Sequence, residues 1–207
     1  MTDKAAVRVT PRALLTGVFC TAALVAVTPY NDLYILGTYV AGNHFPVGAF
    51  AVLLALVLVV NPLLRRGRVG RPFSSAELLT VWVMTLVSSG VPSSGLFRYL
   101  LGSMIAPIYF ATPENEWASL LHPHLSEWLT PLDPKLARDF YEGGDRVPWA
   151  GWVKPIIFWT PLILLVYLSM FSMCAILRRQ WVEHERFTFP IMKVPMEVAG
   201  DPAAGRD

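Results

Sequence analysis

Four apolar runs, each bordered on one flank by basic residues, constrain this chain more than any motif it contains. They cover residues 13–28, 47–64, 76–90 and 153–177. A helix needs roughly 20 predominantly apolar residues, within a range of about 17–25, to cross the hydrocarbon of a bilayer. Charged residues make up 15% of the chain, against about 25% in a soluble domain, and they cluster between the runs. Disordered, collagen-like and ordinary cytosolic classes are excluded on that pattern. A net charge of +2 from 17 basic and 15 acidic residues, with no basic tract, gives no reason to expect a nucleic-acid partner. The expected class is all-α: a polytopic membrane protein of about four transmembrane helices, with the lipid bilayer as its first partner.

The flanks set the direction of each run. Lys4, Arg8 and Arg12 precede the first, and Arg65, Arg66, Arg68 and Arg71 follow the second. Arg178, Arg179, Arg186, Lys193 and Arg206 follow the last. Segment 30–44 has no Lys or Arg, and the long loop 111–150 sets Lys135, Arg138 and Arg146 against seven acids. By the positive-inside rule the basic clusters share one side if the chain crosses four times with both termini cytoplasmic. The expected location is a bacterial inner membrane. The first run has signal-peptide flanks, but its exit at Pro29 lacks a small-x-small cleavage pattern, so it is read as a retained span. Cys20 and Cys174 both fall in apolar runs and read as small buried side chains.

Local chemistry marks several element ends. Pro29 is expected to close the first span. Ser74-Ser75-Ala76-Glu77 has the form of a capping box. Asp133-Pro134 reads as an N-cap followed by Pro at the first helical position, with Gly143-Gly144 closing that short helix. Within 114–129, Trp117, Leu120, Leu121, Leu125 and Trp128 recur at helical spacing, which predicts an amphipathic helix on the outer membrane surface. Trp149, Trp152 and Trp159 suit the headgroup level.

The segment 88–95 carries the strongest functional signal. Ser88, Ser89, Gly90, Val91, Pro92, Ser93, Ser94 and Gly95 cannot continue a helix cheaply, since Pro92 removes an amide and clashes with the preceding turn. An apolar run then resumes over 96–110 with Arg98 near its start. Two readings stand side by side. In one, the third helix is interrupted and 96–110 re-enters the membrane, presenting free amides near Ser93 and Ser94 and the charge of Arg98 to an anionic group. In the other, the span ends at Gly90 and 96–110 lies along the outer interface with Arg98 snorkelling. Asn31 and Asp32, beside Pro29, form a second polar cluster that reads as a cation site or an ordinary capped turn.

Other chemistry finds little support. His122-x-His124 supplies too few ligands for a metal site. Glu183-His184-Glu185 lacks the second His of a zinc-protease helix. Phosphate loops, nucleophile elbows and paired intramembrane carboxylates are missing, so no enzyme, cofactor or metal is expected.

Several short motifs recur in order along the chain. Thr10-Pro11-Arg12-Ala13-Leu14-Leu15-Thr16-Gly17 and Ser75-Ala76-Glu77-Leu78-Leu79 are similar to span openings in the oligopeptide transporter superfamily. Pro29-Tyr30-Asn31-Asp32, Gly42-Asn43-His44-Phe45-Pro46, Thr112-Pro113-Glu114-Asn115-Glu116-Trp117 and Arg178-Arg179-Gln180-Trp181-Val182-Glu183 resemble the N-terminal part of a large uncharacterised bacterial polytopic family, distantly similar to those transporters. The resemblance implies a transporter-like protein and a chain shorter than its relatives, expected to be either a fragment or natural truncation or else a homo-oligomer or a partner of other membrane subunits. The expected organisation is one transmembrane domain over 1–197 and a flexible tail over 198–207. The expected function is a component of a transporter-like assembly for a small polar or anionic solute, a peptide or metal chelate among them. Its candidate binding residues are Ser88, Ser89, Ser93, Ser94, Arg98, Asn31 and Asp32. The alternative is a non-transporting accessory subunit packed against a larger membrane complex, with the small residues of 88–95 serving as a helix-packing face.

Overall fold

The computed structural model describes residues 9–42, 45–67, 70–92, 96–144, 146–185 and 189–200. Every regular element among them is helical. The chain divides into two compact units, 1–98 with 189–207, and 99–188.

In the first unit, α1 (Pro11–Pro29) starts where the Thr10 hydroxyl accepts the Ala13 amide at 3.2 Å, with Pro11 supplying a preset φ at the first position. Pro29 does not close this helix, contrary to the sequence reading. The chain widens instead into a π turn, Tyr30–Ile35, and stops at Leu36 with φ +56°. A proline has no amide and crowds the carbonyl four residues back, and a wider turn accommodates both while keeping the chain helical. The same device joins α2 (Val47–Ala55) to α3 (Asn61–Gly67) through the π turn Leu56–Val60, just before Pro62. The Asn61 side chain then clamps the following loop, donating to the Phe73 carbonyl at 3.1 Å and accepting the Phe73 amide at 2.8 Å.

Helix α4 (Ser75–Ser89) has the expected capping box. It packs along α1, and three contacts fix the geometry. Thr10 meets Glu77, Gly17 faces the Met84 thioether so closely that a Cβ would overlap it, and Ser88 reaches Thr21 at 3.5 Å. Each pair is separated by the same 67 residues. A constant positive offset means that α1 and α4 run parallel and in register. The core is Leu53, Leu56, Leu78, Val81 and Trp82, closed by Met192 and Val198 of α9 (Pro190–Val198) and by Ala199. Ala199 is buried and the Gly200 carbonyl accepts the Ser75 hydroxyl at 3.1 Å, so the first residues of the segment read as a tail are docked; residues 201–207 lie outside the described residues.

In the second unit, α5 (Leu96–Tyr109) is wrapped by the segment that follows it. Tyr141 donates to the Gly102 carbonyl at 3.1 Å, Thr130 donates to that of Met104, and the His122 Nε2 lies 3.0 Å from that of Pro107. Met104, Ile105 and Ile108 pack with Leu136 and Ala137 of α7 (Pro134–Glu142) and with Trp152 of α8 (Trp149–Arg179). Asp133 caps α7 and Gly143, at φ +91°, ends it, as its sequence predicts. The amphipathic helix expected over 114–129 does not form. Only α6 (Trp117–Leu120) is helical, entered through Glu116 at φ +50° and followed by a 3-10 turn, His122–His124. Pro123 removes an amide that a continuous helix would need, and the His122 ring is held by α5.

Among the described residues, three helices are long and apolar enough to cross a bilayer: Pro11–Ile35, Val47–Gly67 and Trp149–Val182. The expected third span is instead the 15-residue α4, about 22 Å long at ~1.5 Å per residue, short of the ~30 Å of hydrocarbon.

Candidate functional site

The residues singled out at 88–95 stand at the end of α4, and the pairing with α1 fixes where that end falls. Both helices begin at the same level, since the Thr10 cap of α1 donates to Glu77 of the α4 cap at 2.7 Å. Ser88 is level with Thr21, near the middle of the Pro11–Ile35 helix. Polar backbone therefore begins halfway along a long apolar neighbour.

The hydroxyls at this end are spent on the helix itself. Thr85, fully buried, donates to the Val81 and Trp82 carbonyls at 3.1 and 2.9 Å. Ser88 donates to Thr85 at 3.0 Å, and buried Ser89 to Leu86 at 2.7 Å. Ser93 and Ser94 lie outside the described residues, as does the side chain of Arg98.

Asn31 and Asp32 sit in the π turn that extends α1. Asn31 donates to the buried Asp32 carboxylate at 3.0 Å and to the Thr38 carbonyl at 2.8 Å, while its own carbonyl accepts the Gly37 amide at 3.2 Å. The pair is a formed unit that ties the left-handed exit at Leu36 to the helix. It stands about 16 Å beyond Thr21 along the axis, at ~1.5 Å per residue, and thus well above Ser88 and Ser89. The described candidates, Ser88 and Ser89 at one level and Asn31 and Asp32 at another, do not converge on a point.

At the opposite end of the same unit is a polar junction that sequence reasoning left as a simple cap. Glu77 is 2% exposed. Its carboxylate accepts from Thr10, from the Ser74 amide at 2.8 Å and the Ser74 hydroxyl at 3.2 Å, and faces Arg71 at 3.5 Å. Arg12 donates to the Arg71 carbonyl at 2.5 Å and lies 4.0 Å from the centroid of the Phe73 ring. One buried carboxylate thus satisfies amides and hydroxyls at the starts of two parallel helices, and a cation–π contact closes the end. The capping box was visible in four consecutive residues. Its link to Thr10 was not, because nothing local couples positions 67 apart.

Two acids of the segment 111–150 have a pKa lowered from the ordinary carboxylate value. Lys154 does so to Glu127, with which it forms a close ion pair, and the Thr112 hydroxyl does so to Glu114. Among the described residues, no three His, Cys, Asp or Glu side chains gather as metal ligands would.

Over residues 3–207 the chain matches, and belongs to, the family of unknown function DUF6785. No curated protein and no solved structure matches it.

Proposed function

Starting from membership of that family, we propose that the chain is an integral inner-membrane component of a transporter-like assembly for a small polar or anionic solute, distantly akin to the oligopeptide transporters. One observation carries the reading: α4 ends level with the middle of α1. Non-helical backbone at membrane depth is tolerated only where it is buried in protein or lines a water-filled cavity. Discontinuous helices of this kind form the binding sites of many secondary transporters. In this reading the solute meets Ser88, Ser89, Ser93, Ser94 and Arg98, and Asn31 and Asp32 contribute from further along α1. A peptide or metal chelate carrying negative charge would meet free amides and one guanidinium on its way in.

Orientation follows from charge. Arg12 and Arg71 meet at the junction that starts α1 and α4, and Arg65 and Arg66 end the helix that returns there. That end is cytoplasmic by the positive-inside rule, and the break opens outward. The carbonyl ties from Tyr141, Thr130 and His122 favour α5 as an interfacial element. In this assembly, copies of the chain or other membrane subunits contribute to the transport path.

The accessory-subunit reading draws on a different observation. Thr85, Ser88 and Ser89 already donate to carbonyls of their own helix, which spends these hydroxyls within the protein and not on a solute. Cysteines placed at Ser88 and Ser94, with Cys20 and Cys174 replaced by Ser, separate the two in intact membranes. Labelling by a membrane-impermeant thiol reagent is the expected result. Protection of both, with full labelling after denaturation, would overturn the transport reading and favour packing.

A further inference from the structure

The second unit contains a cleft that the transport reading does not use. It has a volume of about 220 Å³ and is bounded by Asp139 and Phe140 of α7, Gly144 and Arg146 of the loop after it, and Pro148 and Trp152 at the start of α8. Trp152 is buried and its ring lies 5.5 Å from that of Phe140, so the aromatic wall is fixed. Gly144 passes so near Asp139 that a Cβ would stand 3.0 Å from the Asp139 Cβ, which keeps one rim low. Asp139 and Arg146 line the same cleft and are not bonded to each other or to any other described side chain.

Opposite charges that share a cleft without pairing call for a ligand carrying both signs. A guanidinium suits a phosphate or carboxylate, and an ammonium is favoured beside a carboxylate and an aromatic face. Size narrows the choice, because drug-sized ligands occupy pockets of about 300–1,000 Å³ and this cleft is smaller. Position narrows it further. The cleft opens at the first turn of the most exposed apolar helix in the unit, beside Trp149, which is 69% exposed. One turn below Trp152, Ile156 and its neighbours Val153 and Ile157 present bare apolar surface.

We propose that this cleft binds the headgroup of a zwitterionic phospholipid, phosphatidylethanolamine in a bacterial membrane, with its phosphate on Arg146, its ammonium between Asp139 and the Phe140 and Trp152 rings, and its acyl chains along α8. The assignment rests on α8 as a membrane span and is independent of the transport reading; retention of the protein in membranes after an alkaline wash checks the span separately.

Native mass spectrometry of the full chain, titrated in detergent with phosphatidylethanolamine, phosphatidylglycerol or diacylglycerol, tests it. Phosphatidylethanolamine is expected to bind best. Arg146→Gln should weaken both phospholipids about tenfold, the loss of one charge-assisted contact. Asp139→Asn should weaken phosphatidylethanolamine alone and so narrow or reverse the preference. Arg146→Lys should restore part of the binding, which a merely misfolded loop would not allow. Equal binding of all three lipids, unchanged by either substitution, would overturn the proposal. So would soluble phosphoethanolamine displacing the lipid at matching concentration, which would make the ligand a free zwitterion.

Discussion

The helix Pro11–Ile35 and the helix Trp149–Val182 both satisfy the length and apolarity of a membrane span, yet they are built into the molecule in opposite ways. In the first, 22% of the apolar stretch is buried, whereas in the second none is. Helix α1 is held over its first half by α4, through a carboxylate junction at its start, a glycine against a thioether two turns on and a hydroxyl contact one turn beyond. Helix α8 is held near its start, by Trp152, Pro155 and Lys154 and by Trp159, whose ring donates to the Leu129 carbonyl at 3.0 Å. Beyond that point its hydroxyls, Ser169 and Ser172, return to their own helix carbonyls at 2.8 Å, and its large side chains lie open. Apolarity decides that a helix belongs in a bilayer. Whether it faces lipid or protein is decided by small residues, cap chemistry and register.

The largest expected contrast is in the cores of the two regions. Trp82→Ala removes a side chain that is 1% exposed and central to the first unit, and it should cost about 3–5 kcal/mol. Phe171→Ala removes a ring that is 74% exposed on α8 and should change stability by less than about 0.5 kcal/mol. Reversible unfolding in mixed micelles reads both, and equal losses would break the comparison. Next in size is the junction. Glu77→Ala leaves Thr10 and the Ser74 amide without their acceptor, for a loss on the order of 2–3 kcal/mol. A smaller loss is expected for Glu77→Gln, which keeps one acceptor oxygen. Ser169→Ala and Ser172→Ala on α8 should leave stability within about 0.5 kcal/mol of the parent protein.

What could be read from sequence follows the same division. The caps at Ser74–Glu77 and Asp133–Pro134 were legible because their partners lie within four residues. The long apolar helices were legible because composition alone specifies them. Pro29 misled because a proline forbids one hydrogen bond but not a wider turn, and the chain took the wider turn. The 114–129 pattern misled because apolar spacing does not make a helix where Pro123 interrupts it and where His122 is drawn to α5. The level at which α4 ends had no local signal. It follows from Thr10, Gly17 and Thr21 meeting Glu77, Met84 and Ser88, and only the assembled pair reveals it. For the candidate site, the adjacency of Asn31 and Asp32 was readable, whereas their separation from Ser88 and Ser89 along the axis was not.

The smallest effect concerns the polar tie that holds the start of α8. Glu127 pairs with Lys154, and that partner lowers its folded pKa below the unfolded value. A depressed carboxylate contributes stability that is present above its unfolded pKa, about 4.3 for Glu, and that is lost as pH falls through the lower folded value. Both groups are exposed, so the effect is modest and weakens with added salt. On lowering the pH from about 6 to about 3, around that carboxylate range, the parent protein should lose more thermal stability than Glu127→Gln, which has no carboxylate there to protonate. The difference should shrink at high ionic strength. The corresponding pH series on Ser169→Ala should track the parent protein throughout, because the Ser169 hydroxyl donates to a carbonyl of its own helix and leaves the Glu127–Lys154 pair intact. If Glu127→Gln and the parent protein lose stability in parallel, the ion pair does not help to hold α8, and the aromatic contacts of Trp152 and Trp159 hold its start without it.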